Sequence, residues 1–162
     1  VGVVGAKLVD RDGKIAQAGL ILGLNDGVGS AFIGEKHDAE GYMQRLAVDQ
    51  NYSAVSGICL MIGKALFNAL DGLDDAQFAD GFSDVDLCLK AGEAGFLTVW
   101  TPLVQVIHSG EVPQAPQALQ ALREKWSGAF ARDTAYNPNL SLSGKGFVLN
   151  ESASLDWAQL LA

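Results

Sequence analysis

The stretch Gly81-Phe82-Ser83-Asp84-Val85-Asp86-Leu87-Cys88-Leu89-Lys90 decides the fold, together with the run Gly95-Phe96-Leu97-Thr98-Val99-Trp100 behind it. Ser83 followed three residues later by Asp86 resembles a capping box, and Gly95 is a helix stop, so the pattern predicts a helix over 83–94. The apolar run that follows predicts a strand, with His108 near its end. A carboxylate and an imidazole are therefore expected to meet at one edge of an α/β layer.

Working outward, apolar runs and Gly or Pro punctuation predict the remaining elements. The predicted strands are 1–9 and 15–22, paired as a hairpin, a short one within 45–56, a buried one over 57–62, and 96–107, broken at Pro102. The predicted helices are 64–70 and an amphipathic one over 115–130 with Leu119, Leu122 and Trp126 on one face. The rest is a long surface loop over 25–41, a turn at 137–139, and an irregular tail after Gly146 with a helical turn near Trp157.

Composition excludes several classes of protein. The 162 residues carry a net charge of -8, which argues against nucleic acid or an anionic membrane surface as the partner. No run approaches eighteen apolar residues, so we expect no membrane span. Cys59 and Cys88 lie in apolar runs without zinc spacing, so both are expected to be buried, reduced thiols.

Each polar candidate has a structural and a functional interpretation. Asp84 and Asp86 either cap the helix or supply a general base, and their side chains diverge by roughly 200°, so one should face inward and the other outward. His108 is either a surface residue or a contact to metal or phosphate. Gly57, after Ser56, either serves a turn or lets backbone approach a ligand. The sequence has no phosphate loop, Gly-x-Ser-x-Gly element or His-Glu-x-x-His pair.

A series of short motifs follows in order along residues 1–142. These motifs are Gly5-Ala6-Lys7-Leu8, Asp12-Gly13-Lys14-Ile15, Ser53 to Met61, Leu70-Asp71-Gly72-Leu73-Asp74, Phe82 to Lys90, Trp100-Thr101-Pro102, His108 and Tyr136-Asn137-Pro138-Asn139-Leu140-Ser141. Their order and spacing together resemble bacterial family 2 glycosyltransferases.

The resemblance implies part of a GT-A fold, a Rossmann-like α/β architecture with a mixed sheet flanked by helices. It implies inverting transfer of a sugar from a nucleotide-sugar donor to a glycan or lipid-linked acceptor in surface polysaccharide synthesis, such as that of O-antigen. Asp84 matches the family's general base, and Ser83 stands where the family often has Glu or Asn.

The same resemblance implies roles for the other matched residues. Ser56 and Gly57 match the loop beside the acceptor, and Ser83 and Asp86 are expected to contact substrate. His108 matches a histidine that reaches a divalent metal, Mg or Mn, or the donor phosphates. A cytoplasmic location, with peripheral contact to the inner membrane as an option, is implied in the same way.

One departure from the family is large. Its nucleotide-binding half, with the Asp-x-Asp metal motif, has no counterpart in 1–142, and Asp10-Arg11-Asp12 falls in a predicted hairpin turn. We therefore expect the acceptor-side part of a transferase over 1–142 and an irregular tail over 143–162, without sugar transfer by these residues alone. The alternatives are a non-catalytic half-domain that binds a glycan or partner, and a scaffold that self-associates through an exposed sheet edge.

Overall fold

A computed structural model describes residues 1–110 and 115–150 as a mixed α/β structure. The strands within these ranges are β1 Val3–Val9, β2 Ile15–Gln17, β3 Ile21–Leu22, β4 Val28–Gly29, β5 Gln50–Asn51, β6 Leu60–Ile62 and β7 Thr98–Ile107. The α-helices are α1 Lys64–Ala69, α2 Asp75–Phe78, α3 Ser83–Glu93, α4 Pro116–Lys125 and α5 Ser127–Ala131, and 3₁₀ turns span Leu24–Asp26, Tyr42–Gln44 and Gly57–Cys59. The predicted helical turn near Trp157 lies outside the described residues.

Strand β1 is the centre of the main sheet. It pairs antiparallel with β2 and β6 and parallel with β7, which pairs antiparallel with β5. A parallel pair needs a crossover connection, and α3, which directly precedes β7 and contacts it, completes that connection. A mixed sheet flanked by helices is compatible with the predicted Rossmann-like fold. Strands β3 and β4 form a separate two-stranded ribbon.

The predicted hairpin between the first two strands is confirmed. Asp10 closes its turn, because one Asp10 carboxylate oxygen accepts the backbone N–H groups of Asp12 and Lys14 at 2.9 and 2.8 Å. This is an Asx-type turn. The Asp-x-Asp spelling at residues 10–12 therefore belongs to a turn, as predicted.

The predicted helix over 83–94 is found as α3, but its cap differs from the prediction. Phe82 is the residue before the helix and has a left-handed backbone with φ 71°, without a side-chain cap, and Ser83 is already helical. The capping-box prediction was therefore wrong, because the sharp turn through Gly81 and Phe82 starts the helix one residue earlier than a Ser83 cap would.

Two strand predictions were also wrong. The strand predicted over 15–22 is interrupted after Gln17, where the Ala18 N–H donates to Ser30 Oγ at 2.8 Å and Gly19 takes φ 75° against Tyr52. The run over 57–62 is no buried strand. It forms a 3₁₀ turn and then β6 on the edge of the sheet, where Met61 is 69% exposed.

Pro102 interrupts the pairing of β7 rather than the strand itself. Ala6 pairs with Thr101, whereas the next residue of β1, Lys7, pairs with Gln105, so residues 102–104 have no partner on β1. Proline donates no backbone hydrogen bond, and a bulge accommodates it.

The predicted helix over 115–130 is found as two helices, α4 and α5, separated at Trp126. Leu122 and Trp126 are buried, as predicted for the apolar face.

The core is built from side chains of the main sheet, of helices α2, α3 and α4, and of the loops that cover them. Its largest fully buried side chains include Trp100, Phe78, Leu8, Leu87 and Leu122. Both cysteines are free, but only Cys88 is buried, and Cys59 is half-buried. Within the described ranges, no helix combines the length and the apolar character needed to cross a membrane.

Candidate functional site

A cavity of about 580 Å³ opens at the N-terminal end of α3. The 3₁₀ turn over Gly57–Cys59, strand β2 and the residue after β7 supply further walls. The polar side chains that line it are Gln17, Ser56, Ser83, Asp84 and His108. The remaining lining is mostly apolar, including Leu20, Leu60, Phe67 and Leu73. A mostly apolar cavity with a few convergent polar groups is typical of a ligand site.

Asp84 is the acidic residue in this lining, and backbone groups hold its carboxylate. Its Oδ2 accepts the Gly57 N–H at 2.6 Å, and its Oδ1 accepts the N–H of Val85 at 2.9 Å. The Val85 N–H lies in the first turn of α3, and the Gly57 N–H lies in the 3₁₀ turn. A carboxylate offers about four lone-pair positions, so two remain for a ligand.

Gly57 makes this arrangement sterically feasible. A Cβ atom at residue 57 would lie 2.9 Å from the Asp84 Cβ, closer than real Cβ atoms approach. Ser56 precedes it, and its Oγ accepts the Ile58 N–H at 3.2 Å, which caps the 3₁₀ turn. The backbone thus approaches Asp84 closely enough for the Gly57 N–H to orient the carboxylate.

His108 reaches the same cavity from the end of β7. Its backbone N–H donates to the Val9 carbonyl at 2.8 Å, which extends the pairing of β7 with β1 by one residue. Gly110 leaves room for the imidazole, since a Cβ at residue 110 would lie 2.8 Å from His108 Cε1 and Nε2. The structure therefore brings together Asp84, Ser56, Gly57, Ser83 and His108 around one cavity.

Asp86 is not among the residues that line the cavity. It is fully buried on the other side of α3, where its Oδ1 accepts the Trp126 indole N–H at 2.8 Å and lies 2.7 Å from Lys125 Nζ. Its Oδ2 lies 3.3 Å from Lys90 Nζ. The divergence predicted for the two aspartates is present, but Asp86 faces the core and Asp84 the cavity.

Cys88, one helical turn beyond Asp84, is no candidate nucleophile. Burial raises the pKa of its thiol to about 12, and the charge of Asp84 adds to that shift. The thiol therefore stays protonated and unreactive at neutral pH.

The described residues alone do not form a metal centre. Within residues 1–110 and 115–150, no group of three His, Cys, Asp or Glu side chains could hold an ion. Of the cavity's side chains only Asp84 and His108 belong to these ligand types, and both Asp84 oxygens already accept backbone N–H groups. The described residues by themselves supply too few ligands to hold a metal, so we derive no step through one.

Gln17 is a polar residue of the cavity that the motifs did not indicate. It ends β2, where the pairing with β1 shifts by one residue: Leu8 pairs with Gln17 and Val9 with Ile15. This irregularity breaks the alternation of faces along β2, so no pattern in the sequence indicated where Gln17 would lie.

Comparison with known proteins finds relatives of bacterial origin that are similar to this chain over most of its length. The chain is 37% identical over 161 residues to an uncharacterized protein, y4gI, of Sinorhizobium fredii, covering 93% of this chain and 18% of that protein. It is 28% identical over 155 residues to the O-antigen biosynthesis protein RfbC of Myxococcus xanthus, covering 88% of this chain and 12% of RfbC.

A third relative is matched over a shorter segment. It is an N-acetylglucosaminyl-diphospho-decaprenol L-rhamnosyltransferase of Mycobacterium tuberculosis, 37% identical over 54 residues, which cover 33% of this chain and 17% of the enzyme. The chain thus spans less than a fifth of the length of these relatives. No family model matches it, and no solved structure does. Two of the names support a relationship to glycosyltransferases.

Proposed function

We propose that this chain forms the acceptor-side part of an inverting family 2 glycosyltransferase with a GT-A fold. In this proposal the protein transfers a sugar from a nucleotide-sugar donor to a glycan or lipid-linked acceptor in surface polysaccharide synthesis, and Asp84 is the general base. The observation that carries the proposal is the position of Asp84, whose oriented carboxylate lines a mostly apolar cavity of about 580 Å³ beside Ser56, Gly57, Ser83 and His108.

Transfer of a sugar to a hydroxyl group requires a general base such as the Asp84 carboxylate. A sugar hydroxyl is a poor nucleophile at neutral pH, and a carboxylate within hydrogen-bond reach can accept its proton during attack on the anomeric carbon. The N–H groups of Gly57 and Val85 hold the carboxylate in one orientation, so little reorganisation is needed when the acceptor binds. A single displacement with the base opposite the leaving group gives inversion.

The donor side of the reaction is proposed to lie in other parts of the protein. We propose that a nucleotide pocket and the remaining ligands of a divalent metal, Mg or Mn, come from outside residues 1–162, with His108 as a contact to the metal or the donor phosphates. Residues 1–162 alone are then expected to show no transfer.

The test is Asp84→Asn in the complete gene product that contains these residues. Asparagine retains an acceptor oxygen for one backbone N–H but is no base, so transfer should fall by about 100-fold or more while the midpoint of thermal unfolding stays close to that of the wild type. Release of nucleoside diphosphate from a panel of nucleotide sugars, with simple glycosides as acceptors, measures it. Asp80→Asn, at an exposed residue outside the cavity lining, is the matched control. Equal activity of the two variants would refute the base assignment.

A non-catalytic glycan-binding role is the second candidate. This candidate is favoured because the described residues contain no group of three His, Cys, Asp or Glu side chains that could hold a metal ion for catalysis. In that case the complete gene product would bind methyl glycosides without releasing nucleoside diphosphate from any donor of the panel, and Asp84→Asn would leave the absence of release unchanged.

A further inference from the structure

Gln17 carries a buried polar atom that has no partner among the residues that the structure describes. Its Oε1 is shielded from solvent and accepts no hydrogen bond from any residue within 1–110 and 115–150. The backbone around it is fixed, since Gln17 pairs with Leu8 and the next N–H donates to Ser30 Oγ. The residue is therefore held in place by its backbone while its side chain is left unsatisfied.

Such an atom costs folding free energy, because it gives up water and gains nothing in return. Violations of this kind are expected mainly at functional sites. Gln17 lines the same cavity as Asp84. Because its Oε1 is shielded even from a water molecule, a molecule bound there could supply the missing hydrogen bond only after the amide group turns. The terminal amide torsion is broad, so the amide can turn and bring its oxygen or its nitrogen toward a ligand.

We propose that Gln17 binds a hydroxyl group of the saccharide acceptor, distinct from the hydroxyl that attacks, and thereby selects the acceptor. This proposal rests on the proposed function. An amide can both accept from a hydroxyl and donate to it. The cavity lining also includes the apolar side chains of Leu20 and Val28, which can contact a sugar ring but offer no hydrogen bond.

The charges favour a neutral hydroxyl over an anionic group as the partner of Gln17. An amide neutralises no charge, so Gln17 offers no counter-charge to a carboxylate or phosphate that loses its water on binding. A site that hydrogen-bonds a hydroxyl also rejects analogues that lack it, because its polar group is then left unpaired again. Selection among acceptors that differ at one hydroxyl is the expected result.

The test uses the complete gene product with methyl glycosides of N-acetylglucosamine, glucose, galactose and rhamnose, with binding followed by saturation-transfer NMR. Gln17→Met keeps the length of the side chain and removes its polar atoms. We expect it to weaken binding of the preferred glycoside by about three- to tenfold and to raise the midpoint of thermal unfolding. Gln120→Met, on the exposed face of α4, should change neither quantity.

A series of monodeoxy glycosides identifies the hydroxyl without relying on the variant. The glycoside that lacks the hydroxyl bound by Gln17 should have the same dissociation constant for the wild type and for Gln17→Met. Every other glycoside of the series should still bind the wild type more tightly than the variant.

Three outcomes would overturn the assignment. If Gln17→Met binds every glycoside as the wild type does, Gln17 has no role in recognition, while the Asp84 test still stands. If Gln17→Met lowers the unfolding midpoint and weakens all deoxy glycosides equally, Gln17 is structural. If the wild type binds no glycoside of the panel but releases nucleoside diphosphate from a donor, this assignment falls and the proposed function stands. If it does neither, both fall.

Discussion

Asp84 and Gly57 depend on each other at contact distance. The 2.6 Å hydrogen bond from the Gly57 N–H to Asp84 Oδ2 requires the backbone to lie where any side chain on residue 57 would collide with the aspartate. The glycine is needed for this approach and not for its backbone angles, since residue 57 has no positive φ. A substitution there should therefore act on the orientation of Asp84.

Gly57→Ala is expected to displace the Asp84 side chain, because the new Cβ would lie 2.9 Å from the Asp84 Cβ. Misplacement of a catalytic group by about 1 Å can cost about 100-fold in rate. We expect a fall in kcat of that order in the complete gene product, measured as nucleoside diphosphate release. Gly63→Ala is the matched control, because a Cβ there meets nothing within 4 Å. If the two variants were equally active, the contact would have no bearing on catalysis.

Sequence reasoning reached those site residues that belong to short local motifs. Ser56, Gly57, Ser83, Asp84 and His108 were selected from the chain alone, and the structure places all five around one cavity. Their chemical roles stay predictions. Gln17 was missed because its significance lies in a missing partner, which only the folded structure reveals. The partners of Asp86 were missed too, since Trp126 lies forty residues further along the chain.

Among the elements, helix α3 carries the proposed base. An ionic cluster around the buried Asp86 holds this helix on the side opposite the cavity. Asp86 on α3 contacts Lys125 and Trp126 after the crossover strand, and Lys125 also lies 3.6 Å from Asp74 Oδ2 before α2. Lys90, one turn further along α3, donates to the Gly72 carbonyl at 2.8 Å. The cluster thus joins α2, α3 and α4 on the side of α3 that faces away from the cavity.

Asp86→Ala is expected to lower the free energy of unfolding by about 2–4 kcal/mol, because it leaves two lysines and an indole N–H without their buried acceptor. The loss is below that for a fully buried pair, since the Lys90 and Lys125 side chains are 20% and 32% exposed. Urea unfolding measures it. Glu93→Ala at the exposed end of α3 should change stability by no more than about 0.5 kcal/mol.

Trp126→Phe provides a partial version of the same change. It removes the indole N–H but leaves Lys125 on Asp86, so we expect a loss of about 1–2 kcal/mol. If Asp86→Ala were no more destabilising than Glu93→Ala, the cluster would not hold the helices together.

The elements themselves were predictable where local pattern and tertiary context agree. Helix α3 and the hairpin of β1 and β2 follow from periodicity and turn residues, and both are present. The prediction of a buried strand over 57–62 was wrong because an apolar run does not reveal whether its strand lies in the centre or at the edge of a sheet. The unpaired residues 102–104 were predicted only as a break, because their register depends on β1, nearly a hundred residues away.

At the scale of the whole molecule, buried titratable groups set how stability depends on pH. Burial raises the pKa of Tyr52 and of Cys88 to about 12, from ordinary values of 10.0 and 9.0, and raises that of Tyr136 as well. Burial lowers the pKa of Lys7, whose Nζ donates to the His37 carbonyl at 3.0 Å. All four shifts have the same main cause, which is loss of water around the charged form.

These shifts predict that the chain loses stability in alkali. A raised folded-state pKa gives stability that is full below the unfolded pKa and is lost as pH rises toward the folded value, here between about 9 and 12. Tyr52 and Cys88 each contribute a slope of about 1.4 kcal/mol per pH unit between their unfolded and folded pKa values. The lowered pKa of Lys7 has the opposite effect on stability. Because three groups with raised pKa values (Tyr52, Cys88 and Tyr136) outweigh this one lysine, the net free energy of unfolding should fall as pH rises.

Tyr52→Phe isolates one of these contributions, since phenylalanine keeps the buried ring and has no proton to lose. Free energies of unfolding from urea titrations at pH 7 to 11.5 should decline less steeply above pH 10 in this variant, by about 1.4 kcal/mol per pH unit. Below pH 9 the two curves should run parallel, so any fixed cost of losing the hydroxyl cancels from the comparison. Parallel curves over the whole range would contradict the prediction, because the Tyr52 hydroxyl would then ionise equally in the folded and unfolded chains.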